Sequence, residues 1–255
     1  MSGYDYGVEL WRVSGPMGEW KLKLGSGPGA ARVAREAAVW SRLGPAGLDR
    51  SRFQHGDGGG CTWLVTPWHC GPTLWELCTP VRQCAVKARH EVLTGAVDTC
   101  ITVAAVHLRG WVHGDLQPHH IIFGPSRARL IDWSRAWSAD SDLPPAGRGL
   151  VHLASPETLA DADKPVTAAD ESWTLAAMLW WAANGRWPRD YRALGIDPAM
   201  FTTAELARVL ERRPAPLGRL AWPELEQVLR TVLTAPAASR PTAAELALHL
   251  AGIPA

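Results

Sequence analysis

Residues 112 to 122 read VHGDLQPHHII, and residues 130 to 134 read LIDWS. In each segment an aspartate borders a short apolar run, because Asp115 precedes residues 120–123 and Asp132 follows residues 128–131. A Gly-Pro-Ser turn separates the two runs. If the runs pair as a hairpin, both carboxylates lie at the same end of it. One carboxylate of such a pair can accept a hydroxyl proton while the other binds a metal ion. Their order and spacing predict a catalytic centre.

The pattern on either side of this stretch divides the chain into two parts. Short strands are predicted at 8–13, 19–24 and 61–66, and a helix is predicted at 30–43. The glycine-rich segments 25–29 (GSGPG) and 56–60 (GDGGG) are expected to be loops, the first a flexible link between strand and helix. From residue 74 onward the chain is mostly helical, with a long helix at 89–108 and the hairpin at 120–131.

Length and composition bound the class of protein. The 255 residues can form one domain of one or two lobes, and the net charge of +1 argues against bulk binding to nucleic acid or an anionic membrane. The apolar run at 175–183 is too short to cross a bilayer, so no membrane insertion is expected. The start of the chain has no secretory pattern, and the five cysteines include no CxxC pair. We expect a cytoplasmic protein with reduced thiols.

The central stretch resembles the protein kinase family. HGDLQPHH is similar to the catalytic loop H-R-D-L-x-x-x-N, and IDWS is similar to the metal-binding D-F-G turn. The resemblance implies that Asp115 is the catalytic base, that Asp132 binds magnesium, and that His113 orients the loop. The H-G-D form of the loop also resembles aminoglycoside and other small-molecule kinases.

Later motifs extend the resemblance over residues 3–250, almost the whole chain. Residues 155–157 (SPE) resemble the A-P-E motif, and Arg240 in the late RPT resembles the arginine that pairs with its glutamate, here Glu157. Residues 171–176 (ESWTLA) are similar to the D-x-W-S-x-G start of the central helix. Glu171 would stand for its aspartate, or Asp170 with a one-residue slip.

The first part of the chain carries the implied nucleotide-binding residues. Residues 20–23 (WKLK) resemble V-A-I-K, which makes Lys23 the phosphate-binding lysine and Glu36 on the next helix its partner. Lys21 lies on the same face of the strand and stays open as an alternative. The adenine would lie against a hinge at Thr66 to Trp68. The resemblance therefore implies a two-lobed α+β fold, with a truncated strand-rich lobe at 1–68, a hinge at 69–72 and a helical lobe at 73–255.

Several positions depart from the family pattern. In place of the G-x-G-x-x-G phosphate loop stand only Gly3 and Gly7, which would form a degenerate loop. His120 stands where an asparagine holds the second metal, and imidazole suits Mn²⁺ better than Mg²⁺. Gln117 replaces the loop lysine. Gly114 replaces the arginine that reads a phosphate on the activation segment, so we expect activity without such gating, unchanged by phosphatase treatment.

Together the motifs predict an ATP-dependent phosphotransferase that uses Mg²⁺ or Mn²⁺ and acts on a hydroxyl group. The preferred acceptor is Ser or Thr of a protein or peptide, including a precursor peptide in a modified-peptide pathway, with a partner enzyme. Alternatives are a small-molecule kinase and a pseudokinase that binds nucleotide or a partner without turnover. A metal-dependent hydrolase built on His113, His119 and His120 is a third reading, and it needs further ligands at the same point.

Overall fold

The computed structural model describes residues 7–16, 18–43, 53–147, 149–161 and 163–254. Its strands are Val8–Gly15 (β1), Gly18–Ser26 (β2), Gln54–Gly58 (β3), Cys61–Pro67 (β4), Trp111–Val112 (β5), Ile121–Phe123 (β6), Ala128–Leu130 (β7) and Trp137–Ser138 (β8). Its α-helices are Pro28–Leu43 (α1), Leu74–Leu77 (α2), Thr79–Arg82 (α3), Arg89–His107 (α4), Pro156–Ala160 (α5), Ala168–Asn184 (α6), Thr203–Arg212 (α7), Pro223–Thr234 (α8) and Ala243–Ala251 (α9). The predicted α+β class, strand-rich first and helical afterwards, is confirmed.

The strand-rich region is a four-stranded antiparallel sheet with one helix against it. The strand order is β1-β2-β4-β3, and Lys23 on β2 is opposite Leu64 on β4. Helix α1 packs against β2 and β4 through its buried residues Val33, Ala37 and Trp40, which recur at helical spacing. The face of the sheet that carries Lys23 therefore points toward α1.

Two predicted loops are wrong. Strand β2 continues through Ser26 and α1 begins at Pro28, so residues 25–29 contain no flexible link. Glycine at position 25 allows the end of β2 to pack closely against the start of α1, since a Cβ at Gly25 would stand 2.5 Å from the carbonyl oxygen of Gly29. Residues 54–58 form strand β3 because pairing with β4 outweighs the weak strand propensity of glycine. Gly59 and Gly60, with φ of 60° and 77°, make the turn between these strands.

The helical region is organised around α6. This helix begins with a capping box between Thr167 and Asp170 and ends at Gly185 in the left-handed conformation. Most of its residues are buried, including Trp180 and Met178, which are fully enclosed. None of the helices in the described part of the chain combines the length and apolar character needed to cross a bilayer. All five cysteines are free thiols.

The two regions meet at α1. The guanidinium of Arg35 donates hydrogen bonds to the carbonyl oxygens of Pro144 (2.7 Å) and Ala136 (2.8 Å). Trp40 of the same helix packs edge-on against Trp133, with ring centroids 6.5 Å apart. Residues 69–72, where a hinge is predicted, have no helix or strand. Helix α1 is thus attached to the segment that follows Asp132.

Candidate active site

The hairpin of β6 and β7 brings the two aspartate segments together, with Ile121 opposite Leu130. His113 joins them, because its Nε2–H donates to the carbonyl oxygen of Ile131 at 3.0 Å and its Nδ1 accepts from the backbone N–H of Asp115 at 3.3 Å. These two bonds require the neutral Nε2–H tautomer. Complete burial lowers the pKa of His113 and keeps that tautomer in place.

Glu171, at the start of α6, holds the loop that carries Asp115. Its carboxylate accepts hydrogen bonds from the backbone N–H groups of His113 (3.0 Å) and Gly114 (2.7 Å), and from Nε2–H of His107 (2.9 Å). Burial alone would raise the pKa of Glu171, but the hydrogen bonds from His107 and His113 lower it. Of the two acids considered for this position, Glu171 contacts the loop. Asp170 instead caps α6.

Lys23 connects the strand-rich region to the helical region. Its Nζ lies 2.5 Å from Oε2 of Glu36 on α1 and 3.0 Å from Oδ1 of Asp132. Lys23 and Glu36 are only 6% and 1% exposed, so this charged cluster is largely shielded from water. Burial opposes the charge of Lys23, but the two carboxylates raise its pKa. The other oxygen of Glu36, Oε1, is buried without a hydrogen-bond partner in the described residues.

Lys21 lies two positions earlier on β2 and therefore on the same face as Lys23. It is half-buried opposite Thr66 of β4 and makes no hydrogen bond or ion pair with the residues that the structure describes. Burial lowers its pKa. Between the two candidate lysines, Lys23 is the one that contacts Glu36 and Asp132.

Asp132 and His120 are the side chains that fit a metal ion. Asp132 adopts a left-handed conformation, with φ of 64°. His120 donates from Nδ1 to the carbonyl oxygen of Asp115 at 2.8 Å, and its Nε2 lies 3.9 Å from Oδ2 of Asp132. Burial alone would raise the pKa of Asp132, but Lys23 and His120 hold it far below its usual range. The described residues contain no cluster of three or more metal-binding side chains, so phosphate and water would have to complete the shell.

The carboxylate of Asp115 is enclosed by neighbours that the sequence did not indicate. Gln117 donates to its Oδ1 at 2.9 Å, and Nε of Arg135 lies 3.9 Å from its Oδ2. Gly149 lies so close that a Cβ there would stand 2.5 Å from Oδ1 of Asp115. Access to the carboxylate is therefore restricted by the segment after Asp132.

Gly114 explains the absence of an arginine from the loop. Its φ is +76°, and a Cβ would stand 2.5 Å from the carbonyl oxygen of Arg135. A side chain at this position is therefore both strained and obstructed. Arg135 instead brings a guanidinium to within 3.9 Å of Oδ2 of Asp115.

The crevice beside the charged cluster is narrow. It holds about 50 Å³ and is lined by Lys23, Glu36, Asp132 and Ser134 among others. Ligand pockets usually measure about 300–1,000 Å³, so this crevice has room for a metal ion or water and not for a whole nucleotide. The crevice by itself therefore does not enclose a whole nucleotide.

The remaining predicted site residues are placed as follows. Arg240 contacts Glu157 at 2.8 Å, and Thr66 is buried at the end of β4. Trp68 is 37% exposed beneath the guanidinium of Arg12, and Gly7 packs against the turn before α1. Gly3 lies outside the described residues.

The histidines do not form a separate metal site in the described residues. His113 donates to a backbone carbonyl, and the exposed His119 packs beside Trp75 with ring centroids 5.5 Å apart. This arrangement removes the three-histidine basis of the hydrolase reading.

No protein-family model matches the chain. The chain is similar to two proteins named serine/threonine-protein kinase AfsK. The one from Streptomyces coelicolor is 27% identical over 192 residues, covering 74% of this chain and 22% of the relative. The one from Streptomyces griseus is also 27% identical over 192 residues, covering 74% and 23%. The probable serine/threonine-protein kinase PkwA from Thermomonospora curvata is 28% identical over 195 residues, covering 74% and 24%.

These relatives support a protein kinase-like superfamily for this chain, in agreement with the motif order and the α+β fold. The chain spans about a quarter of their length or less. The activity, substrates and partners of the chain itself are therefore proposals.

Proposed function

We propose that this chain is an ATP-dependent phosphotransferase that phosphorylates a Ser or Thr hydroxyl of a protein or peptide. The contact of Lys23 with both Glu36 and Asp132 carries the proposal. It places a buried ammonium between the two regions, beside the loop that holds Asp115. Phosphoryl transfer depends mainly on positioning and on neutralising negative charge, and this cluster provides both.

Each residue has a distinct role in this proposal. Lys23, oriented by Glu36, binds the phosphates of ATP, and Thr66 to Trp68 face the adenine. Asp132 and His120 hold a Mg²⁺ or Mn²⁺ ion, which when bound neutralises phosphate charge. Asp115 orients the acceptor hydroxyl and accepts its proton. Gln117 and Arg135 position the carboxylate of Asp115.

A protein or peptide acceptor is favoured because the similar proteins are named serine/threonine-protein kinases. A precursor peptide in a modified-peptide pathway, with a partner enzyme that acts on the phosphorylated product, is one form of this proposal. A small-molecule acceptor is the alternative suggested by the H-G-D loop.

A second candidate function is nucleotide or partner binding without turnover. Two observations favour the absence of turnover: the crevice at Lys23 holds only about 50 Å³, and Gly149 closely approaches Asp115. In this case the charged cluster would serve to regulate a partner and not to transfer phosphate.

The test measures ATP binding and phosphate transfer separately, with Mg²⁺ or Mn²⁺, for the native chain, Asp115→Asn and Asp132→Asn. Asp163→Asn, at an exposed position away from the site, is the matched control. Loss of a general base costs about 10²–10⁴-fold in rate, so Asp115→Asn should bind ATP but transfer far less phosphate. Asp132→Asn should lose metal-dependent binding.

The outcomes separate the two candidates. Metal-dependent ATP binding by the native chain without transfer to itself or to protein acceptors supports the binding module. Absence of ATP binding to the native chain contradicts the phosphotransferase and the nucleotide-binding module, and leaves only a partner-binding role.

A further inference from the structure

A large groove lies on the helical region, apart from Lys23. It measures about 910 Å³ and is lined by residues between the end of α6 and α7, together with Gly218 and Arg219. The backbone there is fixed by hydrogen bonds from Asp190 N–H to Pro216 O and from Gly218 N–H to Pro188 O, both 2.8 Å. The groove is thus preformed, at the upper end of the usual size range for ligand sites.

A row of aromatic rings forms one wall of this groove and continues beyond it. Trp75 and Trp181 lie 5.3 Å apart between centroids, and Trp181 and Trp187 lie 4.2 Å apart. His152 stacks on Trp187 at 4.1 Å with an interplanar angle of 11°, and its Nδ1 is 2.8 Å from the hydroxyl of Tyr191. Rigid, half-exposed rings of this kind offer contact area at a low cost in conformational entropy.

Four arginines and two aspartates line the groove, and one of the arginines, Arg219, pairs with Glu226 at 3.4 Å. Arg189 is 6% exposed and donates to the carbonyl oxygens of His152 (2.8 Å) and Ala154 (2.6 Å). It has no carboxylate partner in the described residues. A buried guanidinium without a counter-ion strongly favours an anion nearby.

Two further arginines point outward from the same walls. Arg186 and Arg192 are exposed, and neither forms an ion pair with a described residue. The two aspartates of the groove accept hydrogen bonds from nearby backbone N–H groups and form no ion pair with these arginines. Asp190 accepts from the N–H of Arg192, and Asp197 accepts from that of Ala199. The groove therefore offers two exposed guanidinium groups, those of Arg186 and Arg192, to a ligand.

The groove is connected to Asp115 by a short piece of chain. His152, in the turn Val151–Leu153, is three residues from Gly149, which contacts Asp115. Three residues span at most about 10 Å, so a peptide with a hydroxyl at Asp115 reaches the groove within a few residues.

We propose that this groove binds an acidic, carboxylate-rich segment of the peptide or protein that accepts the phosphate. Arg186 and Arg192 pair with its carboxylates, Arg189 adds a fixed positive potential, and Trp181 and Trp187 pack against its backbone. The assignment of this ligand as the acceptor rests on the proposed function. Binding itself does not.

The test uses a fluorescein-labelled oligoglutamate peptide, with oligoglutamine and oligolysine peptides of equal length, and measures anisotropy without ATP. The variant Arg186→Glu/Arg192→Glu reverses two exposed charges in the groove. Lys87→Glu/Arg109→Glu makes the same change in net charge at exposed positions outside it. We expect oligoglutamate to bind the native chain, to bind the groove variant about tenfold or more weakly, and to bind the control variant as before. The groove variant should instead gain affinity for oligolysine.

Salt should weaken the native complex, because exposed charge pairs are screened. Failure of oligoglutamate to bind, or equal losses in the two variants, would overturn the proposal. With a phosphorylated acceptor that carries an acidic segment, the groove variant should raise KM and leave kcat unchanged. If the native chain binds oligoglutamate but transfers no phosphate to any acceptor, the proposed function is contradicted, and the proposal that the groove binds an acidic segment stands.

Discussion

The two sides of the candidate site are held in different ways. On the helical side, both oxygens of Glu171 accept hydrogen bonds, two of them from the backbone of the loop before Asp115. On the strand-rich side, Lys23 contacts Glu36 and Asp132 through one ammonium, and Oε1 of Glu36 remains without a partner in the described residues.

This difference suggests different roles for the two clusters: the contacts of Glu171 support the structure of the loop, and the contacts of Lys23 serve function. Buried polar groups whose hydrogen bonds are complete fix a single conformation. A charged cluster that is only partly satisfied can instead exchange one partner for a ligand, as Lys23 would on binding phosphate. The helical side therefore fixes the geometry of the loop, and in the proposed phosphotransferase the strand-rich side is the one that responds to a nucleotide.

The strongest test of this comparison is Glu171→Ala. It leaves the N–H groups of His113 and Gly114 without acceptors and removes the partner of His107, and breaking a buried network of this kind costs about 3–5 kcal/mol. Urea unfolding should show that loss of stability. Glu211→Ala, on the exposed side of α7, is the control and should change stability by less than about 0.5 kcal/mol. A similarly small effect of Glu171→Ala would contradict the supporting role.

The second test compares Lys23→Met with Lys21→Met. A hydrogen bond to a charged group contributes about 1.5–3 kcal/mol, so Lys23→Met should weaken ATP binding by that amount. Lys21→Met removes an ammonium that has no partner among the described residues and should have a smaller effect. Calorimetric titration with ATP and either metal measures both. If Lys21→Met caused the larger loss, Lys21 would be the phosphate-binding lysine.

The third test concerns the pH dependence of stability. Burial and the nearby Arg189 lower the pKa of His152 from 6.5 to about 4, and burial also lowers the pKa of His113. In the unfolded chain both histidines would take up protons near pH 6.5, whereas the folded chain resists protonation. Stability should therefore be complete above pH 6.5 and decline as the pH falls toward 4.

The control for this prediction is internal to the chain. His152→Gln should flatten the decline in stability between pH 6.5 and 4, whereas His90→Gln, at an exposed position, should leave the slope unchanged. Urea unfolding midpoints across this range measure both slopes. An unchanged slope in His152→Gln would show that other groups control the acid response.

The sequence allowed the order of the elements and the main contacts to be predicted wherever a motif encodes spacing. The hairpin of β6 and β7 follows from two apolar runs around a turn. The preference for Lys23 follows from the resemblance of residues 20–23 to V-A-I-K, because strand alternation puts Lys21 on the same face and leaves both lysines open. Strand β3 was missed because glycine favours turns locally, and only its pairing with β4 makes it a strand.

The enclosure of Asp115 could not be predicted, because it depends on contacts between residues far apart in the chain. Gly149 reaches Asp115 through the path of the segment after Asp132, and no local pattern encodes that path. The row from Trp75 to Tyr191 likewise joins four separate segments, so the sequence showed only scattered aromatic residues.

The backbone at Gly114 also limits how this chain can evolve. A mutation that installs arginine there must tolerate a left-handed conformation and displace the carbonyl of Arg135 at the same time. A direct Gly114→Arg substitution therefore carries both costs at once, and a loop of the H-R-D type first requires changes that move the carbonyl of Arg135. Descendants of this sequence would acquire new modes of control more readily at other surfaces than at this loop.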